Sequence, residues 1–104
     1  MHLVEKAIEH LATIRKRPGM FLGPSVASAE DFLTGFRTAL SLAGVPLSRE
    51  SHQTSFQRRG WTWTALRAVP SMRERGLSDD QVVDELIDAL TDELRQTSDA
   101  SDCR

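Results

Sequence analysis

One cysteine, Cys103, stands next to the last of 104 residues, so no intrachain disulfide can form. A lone tail thiol suits a reducing compartment. No run approaches the length or apolarity of a membrane span. The start Met1-His2-Leu3-Val4-Glu5-Lys6 puts a carboxylate where a secretory leader carries positive charge. A cytoplasmic protein without membrane association is the expectation. Histidine is scarce as well: His2, His10 and His52 include no pair four residues apart, so the helical two-histidine metal site is excluded. None of them frames a serine or the cysteine in a nucleophile elbow. Neither a cofactor, a metal nor an enzymatic activity is expected.

What is present fits one small domain. Hydrophobic residues make up 39% and charged residues 27%, the balance of a globular chain with little core area to spare. The net charge of −2 conceals a division along the sequence. Residues 1–76 hold 11 Lys and Arg against 6 Asp and Glu, whereas residues 77–104 hold 2 against 9. A basic body is therefore followed by an acidic last quarter. Either the two neutralise each other within the fold, the favoured reading, or each sign faces a different partner.

Hydrophobic periodicity supplies the elements. Val4, Ala7, Ile8, Leu11 and Ile14 recur at steps of three and four, predicting a helix that Pro18 ends at Arg17. Gly19 and Gly23 then bracket Met20-Phe21-Leu22, an apolar connector expected to fold back onto the core. Phe32, Leu33, Phe36, Leu40 and Ala43 predict a second helix, the candidate for the central core element, capped by Ser28 or else Ser25 and ended by Gly44 and Pro46. Residues 47–57 read as a loop or a short exposed helix. Trp61-Thr62-Trp63-Thr64 alternates like a short strand without a partner, and residues 65–69 lean to helix. Ser71 to Arg75, between Pro70 and Gly76, form a connector or single turn. Ser78 with Gln81 is a capping box, opening a helix with a buried stripe of Val83, Leu86, Ile87, Leu90 and Leu94. Its outer face is read as Asp84, Glu85, Asp88, Asp92 and Glu93, and its end is placed near Arg95. The prediction is an all-α single-domain bundle of three to five helices over residues 1–96, with one short strand left open and a flexible polar tail over 97–104.

The segment Ile14-Arg15-Lys16-Arg17-Pro18-Gly19-Met20-Phe21-Leu22-Gly23 resembles a stretch near the start of the ATPase domain of DNA gyrase B subunits and related type II topoisomerases. Such an ATPase requires a glutamate base and a magnesium-binding asparagine on the next helix. The sequence contains no asparagine, so ATP hydrolysis is rejected. The wider arrangement is an R-P-G-M-aromatic-aliphatic-G segment, the helix at Phe32 and Phe36, the Gly60-Trp61 pair and a closing acidic helix. It resembles a group of small bacterial proteins, some regarded as immunity proteins of toxin systems.

That resemblance implies neither an enzyme nor a known ligand, and the expectation is a non-enzymatic module that binds another protein. Two surfaces are candidates for the partner: the basic cluster Arg15, Lys16 and Arg17, and the acidic face through Asp84, Asp88 and Asp92, which would suit a basic toxin. Pro18, Gly19, Met20, Phe21 and Gly23 are read as a structural motif. The alternative is a nucleic-acid-associated protein using Arg58, Arg59, Arg67, Arg73 and Arg75 with the first basic cluster, and Trp61 and Trp63 for stacking. A homodimer is equally compatible with aliphatic stripes on three helices.

Overall fold

Each amphipathic segment carries one apolar face, and the chain buries these faces by laying four helices against the last one. A computed structural model describes the backbone of residues 2–102 and the side chains of residues 3–97. The elements run α1 (His2–Lys16), α2 (Pro18–Phe21), α3 (Val26–Leu42), α4 (Arg49–Arg58), α5 (Val69–Glu74) and α6 (Asp79–Asp102). The domain is all-α, with no strand among the described residues. The six helical segments among the described residues exceed the expected three to five, because the motif at Pro18 and the residues around Pro70 each coil into a short helix of their own.

Helix α6 is the hub and packs against α1, α3, α4 and α5, while α2 docks on α1. The central element is thus not the aromatic α3. Phe32 and Phe36 are only half-buried, whereas Val82, Leu86, Ile87, Ala89, Leu90 and Leu94 of α6 are all buried. A helix that meets four neighbours needs an apolar arc wider than one stripe, and α6 has it. Helix α1 contributes Val4, Ala7, Leu11 and Ile14, as its periodicity predicts.

The caps show how local chemistry starts each helix. Ser25, not Ser28, caps α3: its hydroxyl accepts from the Ser28 backbone N–H at 3.0 Å, and the Ser25 N–H donates back to Ser28 Oγ at 3.1 Å. Serine at the third helical position does the work usually given to glutamate, which is why the Ser28 and Asp31 spacing misleads. Ser48 and Ser51 repeat the device at 3.0 and 2.9 Å and turn the polar stretch after Leu47 into α4. Ser78 and Gln81 form the expected box at 3.3 and 2.8 Å.

The Pro18 motif is a helix stop. Arg17 leaves the helical region, Pro18 occupies the first turn of α2, and Leu22 N–H closes on Pro18 O at 2.8 Å. Gly23 follows at φ 76°, where a Cβ would also lie 2.8 Å from Ser28 Oγ. Leu22 is buried and Phe21 rests edge-on against His10 of α1, but Met20 is 70% exposed and takes no part in the seal.

Residues 61–68 form neither strand nor helix. Thr62 N–H donates to Ser71 Oγ at 3.2 Å, and Thr64 and Arg67 exchange two backbone hydrogen bonds across a tight turn. These groups find partners locally, so no second strand is required. The helix begins at Val69 because a proline suits the first turn of a helix and not its interior. At the other end, α6 passes Arg95 and reaches Asp102, so the expected flexible tail is helical through residue 102. No glycine or proline interrupts it, and Thr97 is buried with its hydroxyl on Glu93 O at 3.1 Å. Cys103 and the side chain of His2 lie outside the described residues.

Candidate functional site

The residues expected to form two separate partner surfaces meet each other instead. Arg15 of α1 hydrogen-bonds Asp88 and lies 3.9 Å from Asp84. Asp92 accepts from Arg59 Nη1 at 2.6 Å. Lys16 and Arg17 are exposed and are not drawn into this contact. Arg59, directly after α4, forks onto Glu85 with Nε and Nη2 at 2.9 and 2.8 Å and also lies 3.4 Å from Asp88. One guanidinium thus serves three carboxylates that α6 aligns on one side. Trp61 adds a 2.7 Å bond from Nε1 to Glu85, and Arg75 caps its ring at 4.6 Å. The hydrogen bond from Arg59 holds the Glu85 carboxyl below its usual range against the opposing effect of burial. Glu85, Asp88 and Asp92 of the acidic face are thus paired with arginines of the basic body, while Asp84 stays 60% exposed.

Glu93 does not belong to that outer face at all. It is 1% exposed, and it follows Leu86 and Leu90 along the apolar stripe. Arg37 occupies the matching place on α3, between Leu33 and Leu40, and donates to Glu93 through Nε at 2.9 Å and Nη2 at 2.6 Å. Arg37 Nη2 also reaches Ser48 O at 3.0 Å, and the Ser51 hydroxyl donates to Glu93. Burial by itself pushes the Glu93 carboxyl up; the neighbouring His52, Arg37 and Ser51 outweigh it and bring it down to about 2. His52 Nδ1 is 3.7 Å from Glu93, too far for a hydrogen bond, and this buried nitrogen has no hydrogen-bond partner among the described residues. The distances therefore assign the carboxylate's hydrogen bonds to Arg37 and Ser51. This node ties α3, α4 and α6 together.

Above the node opens a cleft of about 490 Å³ between α3, α4 and the 64–67 turn. Thr34 and Arg37 come from α3, Arg49 and His52 from α4, and Trp63, Thr64, Ala65 and Arg67 from the segment that follows. His52 stands edge-on to both Phe56 and Trp63, with ring centroids 5.3 and 5.1 Å away, so its ring position is fixed by packing. Arg67 Nη1 donates to Thr34 Oγ1 at 3.2 Å and lies 4.0 Å from Glu30. Burial raises the Glu30 carboxyl, with Arg67 partly offsetting the rise. The guanidinium of Arg49 has no hydrogen bond or ion pair among the described residues. Arg67 is also the one non-glycine with positive φ among the described residues, at 69°.

A second cavity of about 560 Å³ lies across α4, with Ser51 and Glu93 in its lining. Its other charges, Glu50, Arg58 and Asp92, are of both signs, so it has no single ligand preference. The described residues contain no group of three His, Cys, Asp or Glu able to hold a metal. Their helices include none long and apolar enough to cross a membrane.

The sequence reading passed over Arg37, Arg49, His52, Trp63, Arg67 and Glu93 as a group. A signal existed for two of them. Arg37 sits four after Leu33 and three before Leu40, and Glu93 sits three after Leu90, so both charges interrupt apolar stripes at helical spacing. Charges of opposite sign placed that way predict a buried pair. Searches with this chain match no family model, no curated protein and no solved structure.

Proposed function

We propose that this protein is a non-enzymatic protein-binding module, of the accessory or immunity type, that engages its partner at the cleft between α3, α4 and the 64–67 turn. The observation carrying this reading is Leu66. It stands 75% exposed at the tip of a turn held by paired backbone hydrogen bonds, beside a cleft lined by arginines and Trp63. Aromatic and arginine side chains around a rigid apolar projection are the composition of binding hot spots. The acidic face of α6 is a poorer contact, because Asp88 and Asp92 already have arginine partners.

The nucleic-acid alternative has less support. Arg15, Arg59, Arg73 and Arg75 are engaged inside the domain, Trp61 is buried, and Trp63 packs on His52 and Phe56.

Co-expression with the product of the adjacent gene, or affinity capture from the native host, tests the proposal. A stoichiometric protein partner that binds the parent chain and is lost with Leu66→Asp supports it. Absence of such a partner, or one indifferent to Leu66→Asp in a folded variant, counts against it.

A further inference from the structure

We infer that the cleft binds a single carboxylate of an acidic polypeptide segment, held by Arg49 and Arg67; this rests on the protein-binding reading and names its partner's chemistry. Three guanidinium groups, Arg37, Arg49 and Arg67, line the cleft. Two carboxylates oppose them: Glu93 takes up Arg37 through two hydrogen bonds, and Glu30 faces Arg67 at a loose 4.0 Å. Asp31 and Glu50 are exposed and do not line the cleft. Counting the guanidinium and carboxylate groups alone, one unit of positive charge is left over. That matches a carboxylate monoanion and falls short of a phosphate dianion.

The geometry supports the same ligand. Arginine forks accept a planar carboxylate through two parallel hydrogen bonds, as Arg59 and Arg37 already do within this chain. Arg37 is fixed from below by a buried acid, and Arg67 is steadied by Thr34, so ordering these side chains has in large part been done before a ligand arrives. The free donors of Arg49 and the hydroxyl of Thr34 remain on the cleft wall.

Arg67 supplies a separate indication. Its φ of 69° belongs to a region that glycine enters without penalty and that costs other residues backbone energy. Glycine would make the better turn, yet an arginine stands there. Backbone strain of this kind persists where the surrounding structure holds it, and it clusters at ligand clamps and other functional sites.

Isothermal titration of the whole chain tests this inference with three probes at one ionic strength: a hexaglutamate peptide blocked at both ends, inorganic phosphate and an oligothymidine strand. Saturable binding of the peptide is expected, weakened about tenfold or more by Arg49→Gln and by Arg67→Gly. Arg67→Gly should keep or raise the thermal midpoint, which separates lost binding from lost folding. No saturable binding of the peptide, or undiminished binding in both variants, overturns the inference. Binding of phosphate or of the oligonucleotide with the peptide silent also overturns it, in favour of a phosphate ligand. If a captured protein partner survives both substitutions, the carboxylate site falls while the protein-binding reading stands.

Discussion

Helix α6 carries two sets of arginine–carboxylate contacts that differ in almost nothing but depth. On its flank, Arg59 and Arg15 meet Glu85, Asp88 and Asp92, whose side chains are 22%, 35% and 40% exposed. On its inner face, Arg37 meets Glu93, 1% exposed. Exposed pairs contribute little because water and salt solvate the separated charges nearly as well. A buried pair is different in kind: losing one partner strands the other without solvent, although the intact pair need not stabilise more than a well-packed apolar pair would. The flank thus reconciles the two halves of the chain electrostatically. The inner pair fixes which helices sit together, and it holds one wall of the cleft.

The sharpest break in this comparison is Glu93→Ala. It should cost about 3 kcal/mol in urea unfolding by leaving the half-buried Arg37 with Ser48 O as its one remaining partner among the described residues. Glu93→Leu combined with Arg37→Met should recover most of that loss, and a double variant as unstable as the single one would contradict the account.

Acid provides the next test. Glu93 moves from an ordinary 4.5 to about 2 on folding, so its contribution is complete above about pH 4.5 and disappears as pH falls toward 2. Stability read from urea midpoints should fall over that window, and the fall should be absent from Glu93→Gln.

On the flank, Arg59→Ala should cost about 1–2 kcal/mol, and the penalty should shrink at high salt because the freed carboxylates face water. A penalty equal to that at Glu93 would erase the distinction between the two regions. Smallest and of opposite sign, Arg67→Gly should stabilise the domain by about 1 kcal/mol through relief of positive φ. Differential scanning calorimetry measures it directly.

Much of the scaffold is legible from the sequence. The stripe Val4 to Ile14, the stop at Pro18, the box at Ser78 and the stripe Leu86 to Leu94 each depend on residues three or four apart. Less legible are features where a local signal has two solutions. A serine at the third helical position moves the cap from Ser28 to Ser25, and Pro70 begins a helix instead of ending one. Glu93 was misplaced for another reason: it lies beside Asp92 in an acidic run, and composition masked the spacing that puts it on the apolar face.

By itself, the sequence determined an all-α domain, the start of its last helix and most of the residues available to a core, because capping and amphipathic period act within one or two turns. Only the tertiary structure decided which charges meet. Arg37 and Glu93 are 56 residues apart, and Arg15 and Asp88 are 73. No local pattern specifies such a pairing; it follows from the order in which α1, α3 and α4 surround α6. That arrangement brought Asp88 and Asp92 against Arg15 and Arg59 and left the Arg49 guanidinium without a partner among the described residues.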